Sequence, residues 1–562
     1  MRTSLPASDL LAASLVWLLE IDLAGQVYRF SSRPIELTND DGDPVSYPGG
    51  LNSDDIDYSE TLDRFSTQAT EQTVSLEVVF PVDMAQARRR GRLLSSAVGE
   101  LSMVTVREGA PLQTWEARHV VLRGSISQPE IGHPRKPSGW AAFSIEPGAQ
   151  EDMGRLVLPS MRISAVTALA SWTTTHELAE RNLGKPYVLP VGRPGVYRPG
   201  GIYGATVEGS PAYCVDYDSV GIPNGCAVLH IAGCHTTVPT VFIRAEGETR
   251  THAFVPSNTY DRQGQPIAIV DTSGAGISAD WRNAAEYWVS WGTSLAESGS
   301  GARNPYRDAD LIGAGDVLRW VLSRSSLAID HGAWASVAPL LNGLAQVSTY
   351  INDPDASPWA FAETVLEMLP VSVRRGPGGL YPIVHDIGHQ TSGELVALEQ
   401  GRELTRTSAL REETRPDDLA STVSVEYAPR ATESDSYLRT ITVGRATSGD
   451  SGTSATVQTR AGEVAYPGTA IKTASAPMVY DAATAASWAR RLAREAALMA
   501  WSVSYRAPPS LGWIDVGRLI SLTDSELYLA SQPAEVIGKA WDGGGWVYTL
   551  YIIEDPARDD RS

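Results

Sequence analysis

The sequence predicts a mainly β, multidomain chain that also carries a helix-rich α+β unit. Three observations lead there. At 562 residues the chain exceeds what one hydrophobic core supports and points to roughly three to five domains. Gly (50) and Pro (35) are frequent, and Thr, Ser and Val recur, a mixture that favours short strands joined by turns. Segments such as Thr73-Val-Ser-Leu-Glu-Val-Val-Phe80 alternate apolar and polar residues at period two, as half-buried strands do.

The first block, about residues 1–160, reads as strands. Val16-Trp-Leu-Leu-Glu-Ile-Asp-Leu23 and Gln26-Val-Tyr-Arg-Phe30 flank Ala24-Gly25, a hairpin signal. Arg118 to Gly124 and Trp140 to Ile145 read as further strands, and Met84 to Val98 as a helix whose Arg88-Arg-Arg90 run suits a solvated face. The second block, 161–300, opens with a Pro/Gly-rich passage from Gly184 to Gly209 that reads as a linker. Short strands follow (Ala227 to Ile231, Thr240 to Arg244, Ala268 to Val270), giving a small inserted β domain that leaves through Ser298-Gly-Ser-Gly301. The third block, 301–400, is α+β. Helices are expected over Asp308–Ser323, Trp334–Leu344 and Trp359–Leu369, then a hairpin of Val371–Arg374 with Leu380–Val384 across Gly376-Pro-Gly-Gly379. The last block, 401–562, returns to strands at Ser421–Tyr427, Ser436–Val443, Val516–Leu522, Ala534–Ile537 and Val547–Ile553, with a Gly-rich turn between Trp541 and Trp546. Its helix, Asp481 to Met499, has Asp481 as cap and Ala485, Trp488, Leu492 and Ala496 on one face, and Ala446 to Val457 reads as a Ser/Thr/Gly loop.

Composition excludes several classes. A formal net charge of −20 repels a nucleic-acid backbone, which argues against sequence-specific DNA binding. Three cysteines cannot build a disulfide scaffold in so long a chain, so assembly in a reducing cytoplasm is expected. The apolar run Leu10–Leu19 is too short to span a bilayer, carries no small-residue cleavage site, and is followed by no other spanning segment. The 15 Trp residues exceed ordinary core needs and suit subunit interfaces or exposed aromatic platforms.

Two groups of side chains have metal-ligating chemistry. Cys214, Cys226 and Cys234 lie close in sequence with His230 and His235 among them, the ligand types of zinc and iron sites. No C-x-x-C pair is present, and small cysteines packing a β core account for the same residues. His385 and His389 are spaced i, i+4, but Gly388 and the preceding strand favour a loop of satisfied or exposed histidines. No G-x-S-x-G, H-E-x-x-H, Walker A or dinucleotide fingerprint stands in a supporting context, so no catalytic residue is assigned and a non-enzymatic role is expected.

The order of blocks resembles the baseplate hub, or tail tip, proteins of tailed bacteriophages and gene transfer agents. Three places carry the resemblance: Gly184-Lys-Pro-Tyr-Val-Leu-Pro-Val191 with Gly209-Ser-Pro-Ala-Tyr-Cys-Val215 and Leu229-His-Ile-Ala-Gly233; Asp316-Val-Leu-Arg-Trp-Val-Leu322 with the helix around Trp359–Leu369; and Arg415-Pro-Asp-Asp-Leu-Ala-Ser-Thr-Val-Ser-Val425 with the 481–499 helix and Ile514-Asp-Val-Gly-Arg-Leu-Ile-Ser-Leu-Thr523. The resemblance implies two barrel-like tube domains per chain, 1–160 and 401–562, and a homotrimer whose six barrel-like domains continue a hexameric tail tube. It implies a distal tail protein and tube above, a central fibre or tip protein below, genomic DNA passing without sequence recognition, and no membrane insertion by the chain itself. The place implied is the distal end of the virion tail, after assembly in the host cytoplasm. Some relatives hold an iron–sulfur cluster on four cysteines in an inserted domain. This chain has three, so either a histidine substitutes, zinc or a cluster sits at the Cys214/Cys226/Cys234 group, or no cofactor is bound. The competing expectations are a carbohydrate-binding tail adhesin, suggested by the Trp residues, and a peptidoglycan-degrading tail enzyme.

Overall fold

The computed structural model describes residues 14–23, 26–39, 41–62, 71–79, 97–106, 113–114, 118–127, 130–131, 140–146, 189–193, 196–197, 207–208, 210–215, 225–229, 240–245, 248–252, 257–260, 266–271, 286–290, 304–307, 311–325, 327–351, 357–376, 378–385, 395–413, 420, 422–429, 437–444, 471–497 and 499–554. The expected helix at 84–98 (up to its last two residues), the Arg88–Arg90 run, the 298–301 linker, His389 and the 446–457 loop lie outside them.

The chain is mainly β, as expected. Its largest sheet runs, in order, Gln26–Ser31, Ser14–Leu23, Val98–Val106, His119–Ile126, Trp140–Glu146, Glu71–Val79, Asp57–Thr61, Leu529–Trp541, Trp546–Glu554, Met499–Ala507 and Thr405–Arg406. Strand Ser14–Leu23 explains the apolar run that sequence shows there. Trp17, Leu19 and Ile21 enter the large core, while Val16 and Leu18 enter a second, smaller core with Leu37, Tyr47 and Val104. A strand covered on both faces needs no polar alternation.

The N-terminal strands return on themselves. Residues 49–51 hydrogen-bond to the end of Gln26–Ser31, with Leu51 N–H to Ser31 O at 3.0 Å, and also to Glu71–Val79, with Val79 N–H to Gly50 O at 2.7 Å. Gly49 (φ +97°) and Gly50 (φ +92°) adopt the left-handed backbone this double contact needs, and a Cβ at Gly50 would stand 3.1 Å from Val79 O. A second circuit forms from Val396–Glu399, which runs parallel to Leu519–Asp524, and continues through Leu529–Trp541, Trp546–Glu554 and Met499–Ala507 to Thr405–Arg406. The turn 400–404 joins its two ends.

One ladder joins the circuits. Ser59, Glu60 and Thr61 pair with Ala540, Lys539 and Gly538, beside an irregularity between Val536 and Gly538. The core beneath is shared: Trp17 packs edge-on against Trp541 at 5.4 Å between ring centroids, and Trp541 against Trp546 at 5.1 Å.

A separate core belongs to the helices α1 (Ala314–Leu322), α2 (His331–Leu344), α3 (Pro358–Leu366) and α4 (Ala482–Ala497). Helix α2 begins three residues before the expected Trp334, because the Asp330 carboxylate accepts from Ala333 N–H at 2.9 Å and caps it there. Asp481 caps α4 as expected, accepting from Thr484 N–H at 2.7 Å. Helices α1 and α2 cross closely at Gly315, where a Cβ would meet Ala338 O at 2.5 Å. Strands Thr422–Pro429, Tyr437–Gly444 and Ile471–Ala476 form a sheet under α4, and Val423, Val425, Ile441 and Trp488 join the helical core. The described residues of 422–429, 437–444 and 471–493 thus pack with the helices, while 396–413 and 499–554 pack with the N-terminal strands; core membership crosses the boundary expected near residue 400.

The expected strand over Val516–Leu522 begins only at Leu519, because Gly517 (φ +82°) turns the chain ahead of it. Among the described residues of 210–290, seven strands pair in the order Glu248–His252, Thr240–Ala245, Glu286–Ser290, Ser210–Val215, Gly225–Leu229, Pro266–Asp271 and Ser257–Tyr260. Among the described residues, no helix is long and apolar enough to cross a membrane. Trp17, Trp320, Trp334, Trp359, Trp488, Trp541 and Trp546 are all core residues, so the interface or platform role expected of some tryptophans does not fall on these seven.

Candidate functional site

Strand Asp57-Tyr-Ser-Glu-Thr61 reads as polar, yet its alternation buries Tyr58 and Glu60. A carboxylate in that position must be paired and hydrogen-bonded. Glu60 accepts from Tyr58 Oη at 2.8 Å, Gln72 Nε2 at 2.8 Å and Arg374 Nη2 at 2.6 Å, and from Arg374 Nε as well. Arg374 arrives from the hairpin Val371–Gly376/Gly379–Val384 and also donates to Tyr381 Oη.

Asp515 completes a four-charge cluster. It lies 3.4 Å from Arg374 Nη1, accepts from Lys539 Nζ at 3.0 Å, and meets His119 Nε2 at 3.2 Å. Lys539 is Glu60's register partner; its ammonium donates to Gly512 O at 2.6 Å and sits 4.7 Å from the Trp546 ring centroid. Two carboxylates thus face two cations; Glu60, Arg374 and Lys539 are interior, while the Asp515 side chain is 31% exposed. Burial pushes the Asp515 carboxyl up, but Lys539, Arg374 and the His119 hydrogen bond outweigh it and hold it well below the usual range. Burial lowers the Lys539 ammonium against the pull of Asp515, and burial with the adjacent Glu60 raises the Tyr58 phenol well above its usual value.

A second relay lies on the same hairpin. His385 Nε2 stands 2.6 Å from Ser372 Oγ, and His385 Nδ1 stands 2.5 Å from Glu535 Oε1. The connectivity is that of a hydroxyl, an imidazole and an orienting carboxylate, the arrangement of acyl-transfer enzymes. Ser372 is only 1% exposed and sits in the hairpin ladder opposite Ile383, so no substrate carbonyl reaches it while the hairpin is docked. Ser372, through His385, and Arg374, two residues away on the same strand, fix the hairpin's polar face to Glu535, Glu60 and Asp515. This buried junction ties the N-terminal strands, the α+β hairpin and the C-terminal strands together.

Of the residues that sequence singled out, His385 is a satisfied buried histidine. Cys214 and Cys226 are direct register partners on neighbouring strands, while His230, Cys234, His235 and His389 lie outside the described residues. Among the described residues, no group of three or more metal-ligating side chains forms. Sequence reading passed over Glu60, Ser372, Arg374, Asp515, Glu535 and Lys539. A charge inside a strand, as at Glu60 and Lys539, is the available signal, but the cation that pairs with Glu60, Arg374, stands 314 residues away.

Residues 409–536 match the family described as a putative phage tail protein. No curated protein matches the chain. Solved structures that align with it include the 43 kDa tail protein of prophage MuSo2 from Shewanella oneidensis, at 8% identity and TM-score 0.33 over 96% of this chain and 99% of that one. A tail protein from Neisseria meningitidis MC58 aligns at 9% identity and TM-score 0.37 over 96% and 97%. A chain of a native gene transfer agent virion aligns at 12% identity and TM-score 0.38 over 72% and 91%. Through residues 409–536 this chain is similar to phage tail proteins.

Proposed function

We propose that this chain is the structural hub of a bacteriophage tail baseplate. The observation that carries the reading is the pair of hydrogen-bonded strand circuits in one chain, joined through the Glu60–Lys539 ladder. Each circuit acts as a barrel-like half, so a homotrimer presents six such halves around its axis. Six positions match a hexameric tail tube and distal tail protein on one side, and threefold symmetry matches a central tip or fibre on the other. The net charge of −20 keeps passing genomic DNA from adhering to the ring. The buried junction makes each protomer one body that transmits load between tube and tip. The chain works without catalysis, at the distal end of the tail in the virion.

Mass photometry of the purified chain, followed by electron cryomicroscopy with tail tubes, tests the proposal. A trimer that docks on the tube end with threefold symmetry is expected; a monomer both free and bound overturns it. Glycan binding by the purified chain would favour the adhesin reading instead, and clearing on a peptidoglycan zymogram the enzyme reading.

A further inference from the structure

The strand Ser210–Val215 changes partner midway. Ser210, Pro211 and Ala212 pair with Val289, Trp288 and Tyr287, whereas Tyr213, Cys214 and Val215 pair with Ala227, Cys226 and Gly225. Among the described residues it is the single strand joining the two halves of the seven-stranded sheet. Three paired positions on each side make a weak joint, and Pro211 lacks an N–H to give its ladder. At this joint the sequence places two of its three cysteines at one register position.

We propose that Cys214 and Cys226 form a cross-strand disulfide that locks this joint when the protein leaves a reducing compartment. Directly opposed residues of an antiparallel pair lie on the same face, with Cα atoms roughly 4.5–5.5 Å apart, inside the window of about 4.4–6.8 Å that a disulfide spans. The bond closes the nine-residue connection 216–224 between the two strands. The oxidant is a small-molecule disulfide. One cysteine thiolate attacks it, forming a mixed disulfide and expelling one small thiolate. The other cysteine thiolate displaces the second, so two protein thiols are oxidised and one disulfide is reduced to two thiols. The pair stays open in a reducing cytoplasm and closes outside it. This inference does not rest on the tail role.

The test uses the full chain, incubated with oxidised glutathione or with a reductant, then denatured and assayed. The thiols that titrate should drop from three to one, and a non-reduced digest should contain a Cys214–Cys226 peptide pair lighter by two hydrogens than its reduced components. Cys234→Ser should form the same cross-link. Retention of all three thiols, a cross-link through Cys234, or release of stoichiometric zinc or iron on thiol blocking would each overturn the assignment.

Discussion

Arg374 donates from Nε and Nη2 to the two carboxylate oxygens of Glu60, a residue 314 positions away in the chain. The pair is fully interior, so each charge depends on the other. Two planar groups in a fork geometry fix orientation as well as distance. The hairpin can therefore dock on the joined sheet in one register only.

Arg374→Met should cost about 3–5 kcal/mol, because it leaves the Glu60 carboxylate buried without its cation. Urea denaturation of the single variants and of Arg374→Met/Glu60→Gln checks this. The double variant should lose clearly less than the sum of the singles. A single-variant loss under about 1 kcal/mol would show the pair to be solvated.

Acid should act through Asp515. Its carboxyl titrates below the unfolded value of about 3.9, so the unfolded chain binds more protons between the two values. The stabilisation is complete above about 3.9 and is lost as pH falls toward the folded value. Asp515→Asn should lower stability at neutral pH and flatten its decline on acidification, measured as the denaturation midpoint at successive pH values.

Alkali should act through tyrosines. Burial raises the Tyr58 and Tyr548 phenols well above their usual value, so the folded state keeps them neutral while unfolded phenols ionise near about 10. Their contribution is full below about 10 and lost as pH rises beyond it. Lys539, with a lowered folded value, has the opposite sign, one group against several. Tyrosinate absorbance should therefore rise together with unfolding, and Tyr58→Phe should shift that step upward. Ionisation of every tyrosine without unfolding would contradict it.

Glycines give a paired test of helix packing. Gly315→Ala places a methyl 2.5 Å from Ala338 O, and backbone cannot yield cheaply, so thermal stability should fall. Gly343, inside α2, has nothing within 4 Å of its Cβ position, so Gly343→Ala should stabilise by about 0.5–1 kcal/mol. Calorimetry of both variants separates the two; equal effects would contradict the close crossing of α1 and α2.

Local chemistry was legible in the sequence. The hairpin across Gly376–Gly379, the turn between Trp541 and Trp546, and the Asp481 cap each depend on a few neighbouring residues, and the structure has them where expected. Long-range pairing was not legible. Nothing in Asp57–Thr61 names Leu529–Trp541 as its neighbour, and Glu60 looks like a surface charge until Arg374 is placed beside it. The packing of strand Thr422–Pro429 with the helices was hidden for a like reason: its residues alternate equally well for either core.

The ladder between Glu60 and Lys539 also sets a schedule for biosynthesis. At ribosomal rates, the strand Leu529–Trp541 emerges on the order of tens of seconds after Asp57–Thr61. Through that interval the nascent chain carries an open strand edge, and for its first 314 residues the Glu60 carboxylate also lacks Arg374. Such a chain invites holdase chaperones, and products of premature termination should be cleared or aggregate rather than accumulate as soluble N-terminal fragments.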